Sequence, residues 1–326
     1  MSMTADQIVD RRRLRRKVTF WRVAGIIALF VAIVGIVVAV AGRDGFPGLA
    51  EPQIARITIS GFISDDRDQQ ELIEKLAETD AVAGVIVAID STGGSTTGGE
   101  ALYEALRKLA AKKPTVATIG TVGASAAYMA AIATDHIIAR RTSLTGSIGV
   151  IFQYPEVSEL LDKLGVQVED IKSAPLKAEP NPFKPTTEEA RRMIAGLVDD
   201  TFGWFVDIVA ARRGMAWSQA RPLADGRIFT GRQALDLKLI DALGGEEEAL
   251  AWLATKGVDD KLPVKDWAPR RDGAPFGLAD AALLWIAEKA GLSPLLVPGV
   301  IDRFLPESLK LDGLLSVWQA SAGGDT

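Results

Sequence analysis

The stretch from Gly120 to Asp135 holds a serine in a setting that suits a nucleophile. Residues 115–119 predict a short apolar strand, residues 120–124 a turn of small residues, and Ser125 the start of a helix. Small residues let backbones approach closely, and a helix start offers free amide donors and the positive end of the helix dipole. The competing interpretation is that Ser125 merely caps a buried, alanine-rich helix. The rest of the chain has to decide between these two roles.

A serine that attacks a carbonyl needs a base, and few residues are candidates. The chain has no cysteine and a single histidine, His136, which begins an apolar stretch and is better explained as an ordinary strand residue. A lysine can serve if desolvation lowers its pKa from about 10.4 toward neutrality. Lys177 lies in an apolar, proline-containing neighbourhood without an adjacent acid, whereas its rival Lys172 follows Asp170 and ends a predicted strand. Most lysines are only solvated, so the residues alone leave the base open.

Two glycines, Gly93 and Gly94, follow a second predicted strand at residues 82–89. Adjacent glycine amides ahead of a helix suit an oxyanion hole, which stabilises the charge that develops on an attacked carbonyl oxygen. A plain strand-to-helix turn explains them equally well. A phosphate-binding loop is disfavoured, because neither Gly-x-Gly-x-x-Gly nor a following Gly-Lys-Ser is present.

Composition excludes several function classes. The chain has 326 residues, 48% of them hydrophobic, and can bury a sizeable core. Its net charge of −5 argues against a nucleic-acid partner. The absence of cysteine excludes thiol catalysis, disulfides and thiolate metal sites, and the single histidine limits other metal chemistry. We therefore expect no metal or cofactor.

The N-terminal residues predict a membrane anchor. A basic tail, residues 1–22, precedes a run of twenty uncharged residues at 23–42, and twenty helical residues span roughly 30 Å, the thickness of the hydrocarbon core. The basic side is expected in the cytoplasm, with the body outside. Residues 39–41, Ala-Val-Ala, resemble a signal-peptidase site, but the apolar run exceeds a signal-peptide core of about 7–15 residues. Residues 43–53 are predicted to be a linker.

Strands and helices alternate in the body, residues 54–256, which predicts an α/β fold with buried parallel strands. Strands are predicted at residues 54–59, 82–89, 115–119, 136–139, 144–151 and 167–171. Four prolines make residues 174–185 extended or turned rather than helical. Helices are predicted at residues 69–79, 100–111, 156–164, 187–213, 218–224, 231–239 and 246–256.

The pattern weakens in the C-terminal extension, residues 257–326. Residues 278–290 and 311–320 predict apolar, tryptophan-bearing helices. Such helices could dock on the body or lie on the membrane surface, and the sequence assigns the extension no role.

Six motifs occur in a fixed order along the body. They are Asp90-Ser-Thr-Gly-Gly-Ser95, Gly123-Ala-Ser-Ala-Ala-Tyr128, Thr145-Gly-Ser-Ile-Gly-Val150, Lys172-Ser-Ala-Pro-Leu-Lys177, Asn181-Pro-Phe ahead of a Thr-Glu-Glu helix, and Ala224-Asp-Gly-Arg-Ile-Phe-Thr-Gly-Arg-Gln-Ala234. Together they resemble the motifs of bacterial signal peptide peptidases of the short, single-unit type. The resemblance covers residues 54–256 and the anchor, and it does not cover residues 261–326.

The resemblance implies a Ser-Lys protease. Ser125 matches the nucleophile, Lys177 the general base and acid, and Ser147 a serine that orients the lysine amine. The backbone amides that match the oxyanion donors are those of Gly93, Gly94 and Ala126.

Two positions depart from the family pattern. The family usually has proline where Thr92 stands, and Gly-Gly where Ala126 and Ala127 follow the serine. Neither change removes a catalytic group. The oxyanion geometry is the part of the site that these changes affect.

The same resemblance implies a ClpP/crotonase-like fold built from repeated strand-strand-helix units, with one N-terminal transmembrane helix. Implied substrates are remnant signal peptides and other extended apolar segments. The expected location is the bacterial inner membrane, with the catalytic domain on the periplasmic side. Ring- or dome-like homo-oligomers are also implied.

Three alternatives stay open at this point. A peptidase of the SohB type shares the dyad and would act on other substrates. A crotonase-like acyl-CoA enzyme shares the sheet and the oxyanion hole, but it does not explain the anchor. The third alternative is a membrane scaffold without catalytic activity.

Overall fold

The structure is a computed structural model, and it describes residues 17, 20–29, 51–269 and 315–317. The chain forms two compact units, Met1–Glu51 and Pro52–Thr326. In the first unit, residues 20–29 are helical. Within the described ranges, no helix has both the length and the apolar character needed to cross a membrane. Residues 30–42 of the predicted anchor lie outside those ranges.

The second unit is a mixed α/β structure. Its described strands are β1 (Gln53–Ile63), β2 (Val82–Ser95), β3 (Thr115–Ala124), β4 (His136–Ala139), β5 (Leu144–Gly146), β6 (Ile228–Thr230), β7 (Ala242–Leu243), β8 (Val264–Trp267) and β9 (Leu315–Val317). Its described helices are α1 (Arg67–Glu78), α2 (Thr96–Ala110), α3 (Ala126–Ala133), α4 (Ser158–Leu164), α5 (Glu188–Arg213), α6 (Trp217–Ala220), α7 (Gly231–Asp236) and α8 (Glu246–Thr255), with a 3₁₀ turn at Arg221–Leu223.

All nine strands belong to one sheet that forks at β3. Strands β8, β1, β2 and β3 are parallel neighbours in that order. The first half of β3 pairs with β4, whereas its last residues, Val122 to Ala124, pair with β5. Strands β6 and β9 are antiparallel to β5 and β2 respectively. The fork gathers the carboxyl ends of β2, β3 and β5 in one place.

The side chains of a strand alternate between the two faces of a sheet. Here helices pack against both faces, so the sheet is buried between two layers. One face is covered by α1, α2, α3 and α5, and the other by α8. The residues packed with α8 are Ile54, Ile86, Val116 and Ile138, one from each of four neighbouring strands. Both faces are apolar, which explains the near-continuous hydrophobic runs of these strands.

The predicted α/β class is confirmed, but several predicted elements differ. Residues 120–124, predicted as a turn, continue β3, and the strand predicted at residues 144–151 ends at residue 146. Residues 167–171 do not form a strand; they have no neighbouring strand to pair with, and Ile171 is fully exposed. Residues 315–317 lie in a predicted helix but form β9, because pairing with β2 overrides the local helical pattern. The sheet also continues past residue 256, since β8 pairs with β1. The predicted helix at residues 278–290 lies outside the described ranges.

Candidate active site

Ser125 stands between the end of β3 and the start of α3, and its backbone is strained. Its φ of 60° and ψ of −120° fall outside the regions that non-glycine residues normally adopt. The residue is 1% exposed, and its amide donates to the Gly146 carbonyl at 2.9 Å. Helix α3 places all eight of its residues in the core, so the neighbourhood of Ser125 is apolar.

The structure argues against the capping role for Ser125. A capping serine has an extended backbone and accepts a hydrogen bond from the second or third helical amide, as Thr187 does for α5. Ser125 has neither the backbone conformation nor the capping hydrogen bond. Such strain costs about 1–3 kcal/mol and concentrates at functional sites. A sharp strand-to-helix turn of this kind presents the nucleophile in α/β hydrolases.

Ser147 lies beside Ser125 because the strands before them are paired. Ala124 of β3 is the register partner of Gly146 of β5, and each serine is the next residue along its chain. Ser147 also has a left-handed backbone, with φ of 50°, and it is largely buried. Its amide donates to the Arg227 carbonyl at 2.8 Å. The structure thus brings together two of the predicted site residues.

Gly93 and Gly94 lie on the neighbouring strand, in positions that only glycine fits. Gly93 has a φ of 114°, and a Cβ on Gly94 would lie 1.8 Å from the Ile63 carbonyl oxygen. The strand register sets Ser91 opposite Gly123, two residues before Ser125. Both glycines therefore come directly after Ser91, the residue of β2 that lies next to the turn at Ser125.

Ser91 and Asp90 hold this glycine stretch in place, and sequence reasoning gave them no role. The buried Ser91 hydroxyl donates to the Gly61 carbonyl at 2.5 Å and accepts from the Gly93 amide at 3.1 Å. The Asp90 carboxylate accepts from the Val122 amide at 3.1 Å, across a register shift between β2 and β3. Both residues belong to the Asp-Ser-Thr-Gly-Gly motif, and that motif was the feature of the sequence from which their role could have been predicted.

Helix α3 is fixed at both ends. At its start, a Cβ on Gly99 of α2 would lie 3.0 Å from the Ala126 methyl, so Gly99 leaves the space that Ala126 needs. At its end, Arg107 donates to the Ala133 carbonyl at 2.7 Å, and Arg212 donates to the Ile132 carbonyl at 2.8 Å. Cations suit a helix C-terminus. The first amide of the helix, that of Ala126, has no intrahelical acceptor and points the same way as the other donors of the first turn.

Lys177 is placed differently from the two serines. It lies on the irregular segment between α4 and α5, and its side chain is exposed. Its amide donates to the Ala174 carbonyl at 3.1 Å, which forms a turn. Among the hydrogen bonds and ion pairs of the described residues, none joins Lys177 to Ser125. Within one copy of the chain, the lysine amine is therefore in water rather than in an apolar pocket.

Charged side chains pin the segment that carries Lys177. Lys172 pairs with Asp170 at 2.8 Å and with Glu179 at 2.5 Å, and Lys184 also pairs with Asp170. Hydrogen bonds from Lys172 and Lys184 lower the pKa of Asp170 to about 2. The Asp170 and Glu179 carboxylates raise the pKa of Lys172, which argues against Lys172 as a base.

His136 is remote from the turn at Ser125. It pairs with Val116 near the start of β3, whereas Ser125 follows the end of that strand. Its ring stacks on Trp252 with centroids 4.9 Å apart, and burial lowers its pKa. The prediction that His136 is a strand residue is confirmed. In the described part of the chain, no group of three or more histidine, aspartate or glutamate side chains could hold a metal ion.

Comparison with known proteins supports a peptidase. Residues 107–259 match the model of Peptidase family S49. The chain is 39% identical to a candidate protease of Synechocystis sp. over 215 residues, which cover 65% of this chain and 78% of that protein. It is 32% identical to a candidate signal peptide peptidase SppA of Enterococcus faecium, over 62% of this chain and 63% of that protein. It is also 34% identical to the chloroplastic serine protease SPPA of Arabidopsis thaliana, over 56% of this chain but 28% of that protein.

A strained, buried serine at a strand-to-helix turn, beside a glycine strand, is an arrangement found in serine hydrolases. The relatives make it a serine peptidase. The chain belongs to peptidase family S49, as an SppA-like member.

The glycine strand gives a direct test of the site's geometry. Gly94→Ala should abolish peptide cleavage and lower the stability by about 1–3 kcal/mol, because the added methyl collides with backbone that cannot move aside. The control is Gly196→Ala in α5, where nothing lies within 4 Å of the new methyl. That change should keep activity and add about 0.5–1 kcal/mol of stability. Equal activity and thermal unfolding in the two variants would refute the close approach at Gly94.

Proposed function

We propose that the protein is a membrane-anchored Ser-Lys endopeptidase, with Ser125 as nucleophile and Lys177 as base, that cleaves extended apolar segments such as remnant signal peptides. The observation that carries this proposal is the strained, buried and non-capping backbone of Ser125. The forked sheet supports a ClpP/crotonase-like arrangement, because the fork sets the nucleophile turn beside the glycine strand.

The proposed reaction is acyl transfer in two halves. The neutral Lys177 amine takes the Ser125 proton as the hydroxyl oxygen attacks the peptide carbonyl. The amides of Ala126 and of Gly93 or Gly94 stabilise the oxyanion. The lysine ammonium then protonates the leaving amine, and a water molecule hydrolyses the acyl-enzyme by the same route. Because the Gly93 amide donates to Ser91 in this structure, Gly94 is the better glycine donor.

The exposed position of Lys177 favours completion of the dyad by a second copy of the chain. The Lys177 side chain is exposed in the isolated copy, and a second copy packed over this segment would remove it from water. Residues 151–183, which include Lys177, expose many large apolar side chains. Exposed apolar surface of this extent is typical of a protein–protein interface. The exposed side chains are Ile151, Leu160, Leu164, Val166, Val168, Ile171 and Phe183. We propose that a neighbouring copy covers this surface and that the assembly is a homo-oligomer.

Mixing inactive variants tests the dyad and the assembly together. Ser125→Ala and Lys177→Met should each abolish cleavage of an extended apolar peptide, while Ser218→Ala and Lys108→Met, which alter exposed residues, should not. If the lysine of one copy serves the serine of another, co-assembling the two inactive variants restores part of the activity. Full activity in Lys177→Met alone would contradict a Ser125–Lys177 dyad. A mixture that forms oligomers yet stays inactive would place the dyad within one copy.

The anchor is proposed from residues 23–42, of which residues 23–29 are helical and expose Val23, Ile26, Ile27 and Leu29. An anchored peptidase on the periplasmic side of a bacterial inner membrane would meet signal peptides where they are released. The full chain should stay with membranes during alkaline carbonate extraction, and a chain lacking residues 1–50 should be released. Equal release of both would contradict the anchor.

A further inference from the structure

Strand β3 bulges just before it reaches Ser125. It pairs with β2 as far as Ile119 and then again at Gly123. Between these two pairs β2 has a single residue, Asp90, whereas β3 has three, residues 120–122. A bulge bends its strand and re-aims the side chains that follow, and bulges are common next to active sites.

The bulge lies where β3 changes partner on its other edge. Strand β4 pairs with β3 as far as Ile119, and β5 pairs with it from Val122 onward. In the described register, Gly120 and Thr121 therefore have no partner on β2, β4 or β5. Main-chain groups that leave a strand ladder need other partners, because a buried carbonyl or amide without a hydrogen bond destabilises the fold.

Ser143 supplies such a partner at the fork between β4 and β5. Its hydroxyl, which is buried, donates to the Gly120 carbonyl at 2.5 Å and lies 3.1 Å from the Ile119 carbonyl. The same oxygen accepts from the Arg140 amide at 2.9 Å. One side chain therefore ties the start of the bulge to the turn that leads into β5.

Thr145 and Asp90 hold the residues closest to Ser125. The Thr145 hydroxyl, fully buried in β5, donates to the Gly123 carbonyl at 2.7 Å. On the opposite edge of β3, the Asp90 carboxylate accepts from the Val122 amide at 3.1 Å. Side chains from two different strands therefore fix the main chain two and three residues before the serine.

We infer that Thr145 and Asp90 are positioning residues for the reaction, because they hold the bulge at residues 120–122 and so set the direction in which the Ser125 hydroxyl points. The inference rests on the proposed function in taking Ser125 as the nucleophile. The backbone of Ser125 is strained, and strain persists only where the surrounding structure enforces it. Release of the bulge lets the hydroxyl move, and a displacement of about 1 Å can slow a reaction by roughly a hundredfold.

Substitution of Thr145 tests this role through kcat. Thr145→Val removes the hydroxyl and keeps the shape of the side chain. In the full chain it should lower kcat for cleavage of an apolar peptide by about tenfold or more, with KM changed by less than about twofold, because the interaction acts on the chemical step. Thr145→Ser keeps a hydroxyl and should restore most of the kcat.

Thr115→Val is the matched control. Thr115 is as fully buried as Thr145, and its hydroxyl donates to Asp135, but it lies at the start of β3. Its loss should lower the temperature of thermal unfolding and leave kcat unchanged. An unchanged kcat in Thr145→Val, or an equal loss of kcat in Thr115→Val, would overturn the role of Thr145.

Asp90 provides a second test that does not disturb the core, because its side chain is exposed. Asp90→Ala removes the acceptor for the Val122 amide, whereas Asp90→Asn keeps an oxygen in the same place. Asp90→Ala should lower kcat in the same way as Thr145→Val, and Asp90→Asn should retain most of it. Equal kcat values in Asp90→Ala and the wild type would overturn the role of Asp90.

The rate of acylation separates this inference from the proposed function. An activated ester of an apolar peptide should acylate Ser125 in the wild type, as located by mass spectrometry. Acylation should be about tenfold slower in Thr145→Val and unchanged in Thr115→Val. If no acyl group is found on Ser125 of the wild type, the proposed nucleophile is wrong and this inference with it. Acylation of Ser125 at equal rates in the wild type and Thr145→Val would overturn this inference alone.

Discussion

The pairing of β3 with β2 on one side and β5 on the other is the constraint on which the site depends. β3 pairs with β2 as far as Gly123 and with β5 as far as Ala124. Strand β3 ends at Ala124 and α3 begins at Ala126, so the chain changes direction at Ser125. The hydrogen bond from its amide to Gly146 holds the strained backbone from the β5 side. Two paired strands and a buried helix therefore fix the strained backbone of Ser125.

The same constraint explains why small residues surround Ser125. Gly94 is forced against the Ile63 carbonyl, and Gly99 is forced against the start of α3. A larger residue at Gly94 would displace β1, and a larger residue at Gly99 would displace the start of α3. Arg107 and Arg212 then hold the far end of α3 through its last carbonyls. Backbone packing therefore fixes the positions of the amides that are proposed as oxyanion donors.

Much of this arrangement follows from local sequence. The apolar runs before Gly93 and Ser125 predicted the two central strands, since strands that are buried on both faces contain few polar residues. The order of the motifs predicted that Ser125, Ser147 and the two glycines lie near one another, but it did not predict that Lys177 is exposed. What the sequence could not supply was long-range pairing. Strand β9 lies in a stretch with a helical apolar pattern, and the predicted strand at residues 167–171 has no partner. The roles of Ser91, Arg107 and Arg212 also depend on contacts between distant parts of the chain.

The lysine and the serine are held by different means. Ser125 is buried between paired strands and a helix. Lys177 lies on an irregular, exposed segment, within which Lys172 forms ion pairs with Asp170 and Glu179. A base that is exposed in one copy and desolvated by assembly would keep the isolated chain inactive. Peptide cleavage would then require the assembled oligomer, because the site would be complete only at the interface between copies.

The central claim is that Ser125 forms a covalent acyl-enzyme. The most direct measurement is mass spectrometry of the full chain, quenched in acid during turnover of an activated ester of an apolar peptide and then digested. The account predicts that the acyl group is found on the fragment containing Ser125, and that this adduct is absent in Ser125→Ala. An acyl group on Ser147, or undiminished turnover in Ser125→Ala, would contradict it.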